Sequence, residues 1–185
     1  MLRHVRGYAS ERKHRLFAVA CCRAFADRFP TPAYHDLLEL VTVFADGTIA
    51  RVEMMKGYRA PGSNSQLAMA VAGTTDPNAG YAAQKTLLRT LEWHDWVPAT
   101  SPQDLLRDIF GNPFRPVAFD PAWRTEAVVG LARGAYEDRA FDRLPALADA
   151  LEDAGCADAD ILSHCRSAGS HVRGCWVVDL LLGKT

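Results

Sequence analysis

The sequence predicts an all-α fold, a compact helical domain of about seven or eight helices. Three observations carry this. Apolar residues recur at i, i+3, i+4 and i+7 through most of the chain. The strict alternation of a half-buried strand is nearly absent. Proline, glycine and small polar residues fall at intervals that suit short helices.

Ser10 is placed to cap a first helix that runs to Phe29, where Pro30 and Pro32 stop it; Phe17, Ala20, Cys21, Ala24 and Phe25 share one face. Leu16 and Val19 widen that face, so burial on two sides is expected. A second helix spans Ala33 to Ala45 on Leu37, Leu40, Val41 and Phe44, with Gly47 as its stop. Thr48–Lys56 and Gln66–Ala72 are short helical candidates around a loop at Ala60–Ser65. Tyr81 to about His94 reads as a longer helix with Leu87, Leu88 and Leu91 apolar and Trp93 and Trp96 closing it. Ser101-Pro102 opens another that ends at Gly111-Asn112-Pro113. The proline-rich stretch Pro113–Pro121 is an extended connector expected to pack Phe114 and Phe119 into the core. Beyond it come a helix from Thr125 through Tyr136, one around Leu144–Leu151 ending at Gly155, a short one capped by Asp158, and a last one from Cys175 to Leu182.

With 185 residues, 49% apolar and 23% charged, the composition is that of an ordinary globular protein and excludes collagenous and disordered classes. The length favours one domain over 1–185, with a subdomain boundary near 112–122 as the alternative. At this size roughly 70% of the unfolded surface is buried on folding, so stability needs neither disulfides nor metal. A formal net charge of −1 points to neither nucleic acid nor an anionic membrane. The longest apolar run, Leu16–Cys22, is far shorter than a membrane span, and the N-terminus lacks the pattern of a secretory signal. A cytoplasmic protein with reduced thiols is therefore expected; the odd set Cys21, Cys22, Cys156, Cys165 and Cys175 does not read as a disulfide framework.

Several strings are specific: Leu105–Val117 (LLRDIFGNPFRPV), Asp120-Pro121-Ala122-Trp123, Ala135–Cys156 and Ala159–Lys184 (ADILSHCRSAGSHVRGCWVVDLLLGK). Through them the chain resembles an uncharacterised family of cytoplasmic proteins that occurs in many paralogous copies in planctomycete genomes; Ser10–Arg23 resembles it more loosely. The resemblance carries over no catalytic residue, cofactor or substrate. Members of that family begin with an additional acidic, Trp-containing segment and have a further Cys where this chain has Val19. The first difference suggests a shortened N-terminus; the second argues against a metal or redox role for Cys21 and Cys22. Abundance in paralogues implies a binding or regulatory module.

The densest chemistry lies at Cys156, His164, Cys165, His171 and Cys175, thiols and imidazoles of the kind zinc prefers. Their spacing lacks a C-x-x-C pair, and neighbouring His164 and Cys165 point about 100° apart on a helix, so only one of them can serve. Packed thiols and capping histidines are the alternative. Cys175, at a helix start beside Arg173, is also placed as a low-pKa nucleophile with His171 or His164 as base. Gly183-Lys184-Thr185 looks like the end of a phosphate-binding loop, but Val178 stands where that motif requires glycine. Asp179, on an apolar helix, needs a partner, for which Arg166 or Arg173 is the candidate.

Charge is uneven. Seven basic residues precede position 29, against Glu11 and Asp27, and eight acids lie between Glu137 and Asp160, against Arg139 and Arg143. Glu152 and Asp153 oppose their helix dipole and call for compensation, from the basic N-terminal helix or from a partner. The leading expectation is a non-enzymatic protein-interaction or regulatory module with another protein as partner. Second comes a zinc-binding module built on the C-terminal Cys/His cluster, and third a hydrolase centred on Cys175.

Overall fold

Side-chain oxygens start several of the helices. In the computed structural model, which describes residues 9–28, 31–57, 66–92 and 100–184, Ser10 accepts from Lys13 N, Asn78 from Tyr81 N, Thr125 from Val128 N, and Asp158 from Asp160 N and Ile161 N. Among the described residues there are ten α-helices: α1 Glu11–Arg23, α2 Pro32–Ala45, α3 Arg51–Gly57, α4 Gln66–Gly73, α5 Ala79–Leu91, α6 Pro102–Phe110, α7 Glu126–Glu137, α8 Leu144–Asp153, α9 Ala159–Arg166 and α10 Trp176–Leu182. Short 3-10 turns lie at Ala26–Arg28, Pro121–Trp123 and Phe141–Arg143, and no strand occurs among the described residues. The all-α expectation is met; both short central candidates are helices. None of the described helices is long and apolar enough to cross a membrane. The expected loop at Ala60–Ser65 and the closing Trp93 and Trp96 lie outside the described residues.

The chain forms two compact units, Met1–Leu106 and Arg107–Thr185. In the first, α1 is buried along His14–Cys22 and packs against α2, α4 and α5. It ends at Arg23, earlier than expected, because the chain turns into the 3-10 segment. Arg15 enters this interior at 2% exposure, donating to the carbonyls of Thr74, Asp76 and Pro77 at 2.9–3.2 Å with its guanidinium over Phe44. The buried face of α5 is made of Ala79, Ala82, Ala83, Thr86 and Thr90, while Leu88 and Leu91 are exposed. Small residues win here because α4 comes close: a Cβ on Gly73 would stand 3.3 Å from Thr86 Oγ1.

The basic residues of α1 are largely spoken for at home. Arg12 pairs with Asp46 at 3.0 Å and Arg23 with Glu39 at 2.6 Å.

In the second unit, α7 packs against α8 and α10, and α9 against α8 and α10, around Val128, Ala132, Leu144, Leu147, Leu151, Ile161 and Val178. Phe119 joins this core edge-on to Trp123, but Phe114, expected inside, is 67% exposed because the connector turns back at Asn112. Within this unit Glu152 is compensated by Arg166. Arg166 pairs with both Glu152 and Asp149, which also removes it as the expected partner of Asp179.

Candidate metal centre

The C-terminal segment delivers three polar side chains to one point. The last turn of α9 carries His164, the following turn carries His171, and Cys175 is the N-cap of α10. A fourth arrives from α6: Asp108 lies on the same face as buried Leu105 and Ile109 and is itself only 4% exposed. One donor atom from each of Asp108, His164, His171 and Cys175 lies within 4.8 Å of every other.

Asp108 Oδ1 is 2.7 Å from His171 Nδ1 and 3.3 Å from His164 Nε2, and its Oδ2 accepts from Val172 N–H at 2.9 Å. His164 Nε2 is also 3.1 Å from Cys175 Sγ. The two imidazoles meet edge to face, 4.8 Å between centroids, and the Trp176 ring covers His164 at 5.3 Å. Trp176 sits there because Gly111, at φ +62°, leaves room; a Cβ would come within 3.1 Å of the indole.

Burial pushes the Asp108 carboxyl toward its neutral form, but hydrogen bonds from His164, His171 and the Val172 amide outweigh it and hold the pKa below the ordinary value. Cys175 goes the other way. Burial, then the charge of Asp108, raise its thiol well above the ordinary range, and the amides of Val178 and Val177 only soften this. The reactive thiolate expected at this helix start is not what the fold builds, since Cys175 is fully buried. A pocket of about 380 Å³ is lined by Phe141, Pro145, Cys165, Ser167, Ser170 and His171 among others; Cys175 does not line it.

Of the five ligand candidates read from the sequence, His164, His171 and Cys175 converge, whereas Cys156 and Cys165 do not join the group. The last two are 3% and 0% exposed within the apolar core, where burial raises the Cys165 thiol to about 12. The helical 100° offset sends His164 to the cluster and Cys165 to the core. Asp108 was missed. Its signal was an acidic residue on the apolar stripe of Leu105 and Ile109.

The four donor atoms are close enough to one another to be compared with the spacing around a tetrahedral ion. Bonds of about 2.0 Å to nitrogen or oxygen and 2.3 Å to sulfur set the donor atoms of a tetrahedral ion roughly 3.3–3.5 Å apart; here they range from 2.7 Å to no more than 4.8 Å. His164 Nε2 faces both Asp108 Oδ1 and Cys175 Sγ, and one ring proton can serve only one of them. A cation held among the four donor atoms would accept one lone pair from each.

No protein-family model, no curated protein and no solved structure matches this chain.

Proposed function

We propose that the Arg107–Thr185 unit is a structural zinc-binding module, with Asp108, His164, His171 and Cys175 as the four ligands. The single observation behind this is the convergence of their donor atoms within 4.8 Å. One thiolate, two imidazoles and a carboxylate suit zinc, whereas magnesium and calcium favour all-oxygen shells. Burial supports a closed site: His164 is the most accessible side chain of the four, at 15%. Four protein ligands leave no position for a substrate, which is the pattern of structural rather than catalytic zinc. A unit of under about 80 residues also gains from such a staple in a way that a single large domain would not.

The wider role is that of a non-enzymatic helical module that acts on another protein through its surface. The five cysteines are all free thiols, which supports a reducing, cytoplasmic setting in which a thiolate ligand stays available.

Native, untagged protein grown with zinc is expected to carry about one zinc per chain. Cobalt substitution should give the intense visible bands of a tetrahedral ion and a thiolate-to-cobalt band in the near ultraviolet, absent in Cys175→Ala. Protein with no bound zinc that also fails to take up cobalt would sink the reading.

A further inference from the structure

Which nitrogen of a histidine binds a metal is set by the hydrogen bond its other nitrogen makes. We infer that Ser167 is the positioning residue that turns the Nδ1 lone pair of His171 into the cluster. Ligation is then mixed, through Nε2 of His164 and Nδ1 of His171. This rests on the zinc-site reading above and specifies how that site is assembled.

The argument is a count of protons. Ser167 Oγ is 2.8 Å from the carbonyl oxygen of His164, which can only accept, so the single hydroxyl proton goes there. Ser167 Oγ then offers a lone pair to His171 Nε2, 3.3 Å away, and that nitrogen must donate. An imidazole that keeps its proton on Nε2 binds metal through Nδ1. Nδ1 is also the atom that faces Asp108 Oδ1 at 2.7 Å inside the cluster.

The same turn orients a third ligand. Val172 N–H holds Asp108 Oδ2 at 2.9 Å, which leaves Oδ1 directed at the focus. Ser167 also gives its own N–H to the His164 carbonyl at 3.2 Å, so one residue ties the backbone of one ligand to the ring of another. His164 has the complementary arrangement: its Nε2 is the nitrogen facing Asp108 and Cys175.

Two measurements on the full chain test this. The first is competition for zinc against a chromophoric chelator. Ser167→Ala is expected to bind zinc about 10-fold or more weakly, in the range for loss of an outer hydrogen bond to a ligand. Ser167→Thr, which keeps the hydroxyl, should restore affinity, and the metal-free melting temperature of Ser167→Ala should stay near that of the parent. The second is long-range proton–nitrogen NMR of the zinc-loaded protein, which should show His171 protonated at Nε2 and metal-bound at Nδ1.

Ligation of His171 through Nε2, or equal zinc affinity in Ser167→Ala and the parent, would overturn the inference. Labelling of Ser167 by a fluorophosphonate would too, since a nucleophilic serine needs its hydroxyl proton directed at His171 Nε2. A parent protein that takes up neither zinc nor cobalt removes the metal centre itself, an outcome distinct from these.

Discussion

Asp108 and His171 are 63 residues apart in the chain and 2.7 Å apart in the fold. This contact joins the helix before the proline-rich connector to the turn before the last helix. Asp108→Asn removes the charge that accepts from His171, His164 and the Val172 amide in a nearly dry setting. The loss is expected to cost about 3 kcal/mol of stability. Thermal melts against zinc concentration check it: the parent should gain about 4 kcal/mol at a thousand times its dissociation constant, and the variant much less at the same concentration.

Cys165 and Cys175 offer a paired test, since both are fully buried and only one belongs to the cluster. Cys165→Ala should lose about 1 kcal/mol or a little more through reduced packing yet keep the cobalt spectrum. Cys175→Ala should lose the thiolate-to-cobalt band. A spectrum lost from the first and kept by the second would reverse their assignments.

Gly111 carries two constraints, a left-handed φ of +62° and an indole 3.1 Å from where a Cβ would sit. Gly111→Ala is therefore expected to destabilise by about 2 kcal/mol in urea denaturation and to shift Trp176 off His164. A change in tryptophan emission of the folded protein would report that shift.

In the N-terminal unit, Arg15 serves three backbone carbonyls at the Thr74–Pro77 turn. Arg15→Met keeps much of the apolar stem and leaves those carbonyls without their donor, for an expected loss of about 2–3 kcal/mol. Arg15→Lys should recover only part of it, because one ammonium cannot span the three acceptors as a planar fork does. Equal stability of parent and Arg15→Met in denaturant melts would count against this role.

Buried thiols set an alkaline limit. Burial raises the pKa of Cys21 and Cys22 above the ordinary value, so the folded state retains these protons where the unfolded chain gives them up. Their contribution to stability is complete below the unfolded thiol pKa of about 8.5 and declines as the pH rises past it. Urea midpoints are expected to fall between about pH 8.5 and 10, and to fall less steeply in Cys21→Ala or Cys22→Ala.

The helices were legible because their signals are local. Ser10, Thr125 and Asp158 each cap within three residues, and Gly47 and Gly155 adopt the positive φ expected after a helix end. The buried face of α5 was less legible. Leu87, Leu88 and Leu91 drew attention by hydropathy, while the close approach of α4 made alanine and threonine the interior choice. Phe114 is a related case: an aromatic residue in a connector has no period to say which way it faces, and here it faces out.

The sequence alone determined that the chain is helical, where most helices begin and end, and that His164, His171 and Cys175 fall in one short segment. These follow from hydrogen bonds and side-chain spacing within one or two turns, which a string of residues displays directly. That Asp108 joins the group while Cys156 and Cys165 stay in the core follows from how the helices pack in space. Four donor atoms within 4.8 Å are a condition on space, met here by residues from α6, α9, a turn and α10, and no local pattern records which distant side chain comes to rest beside them.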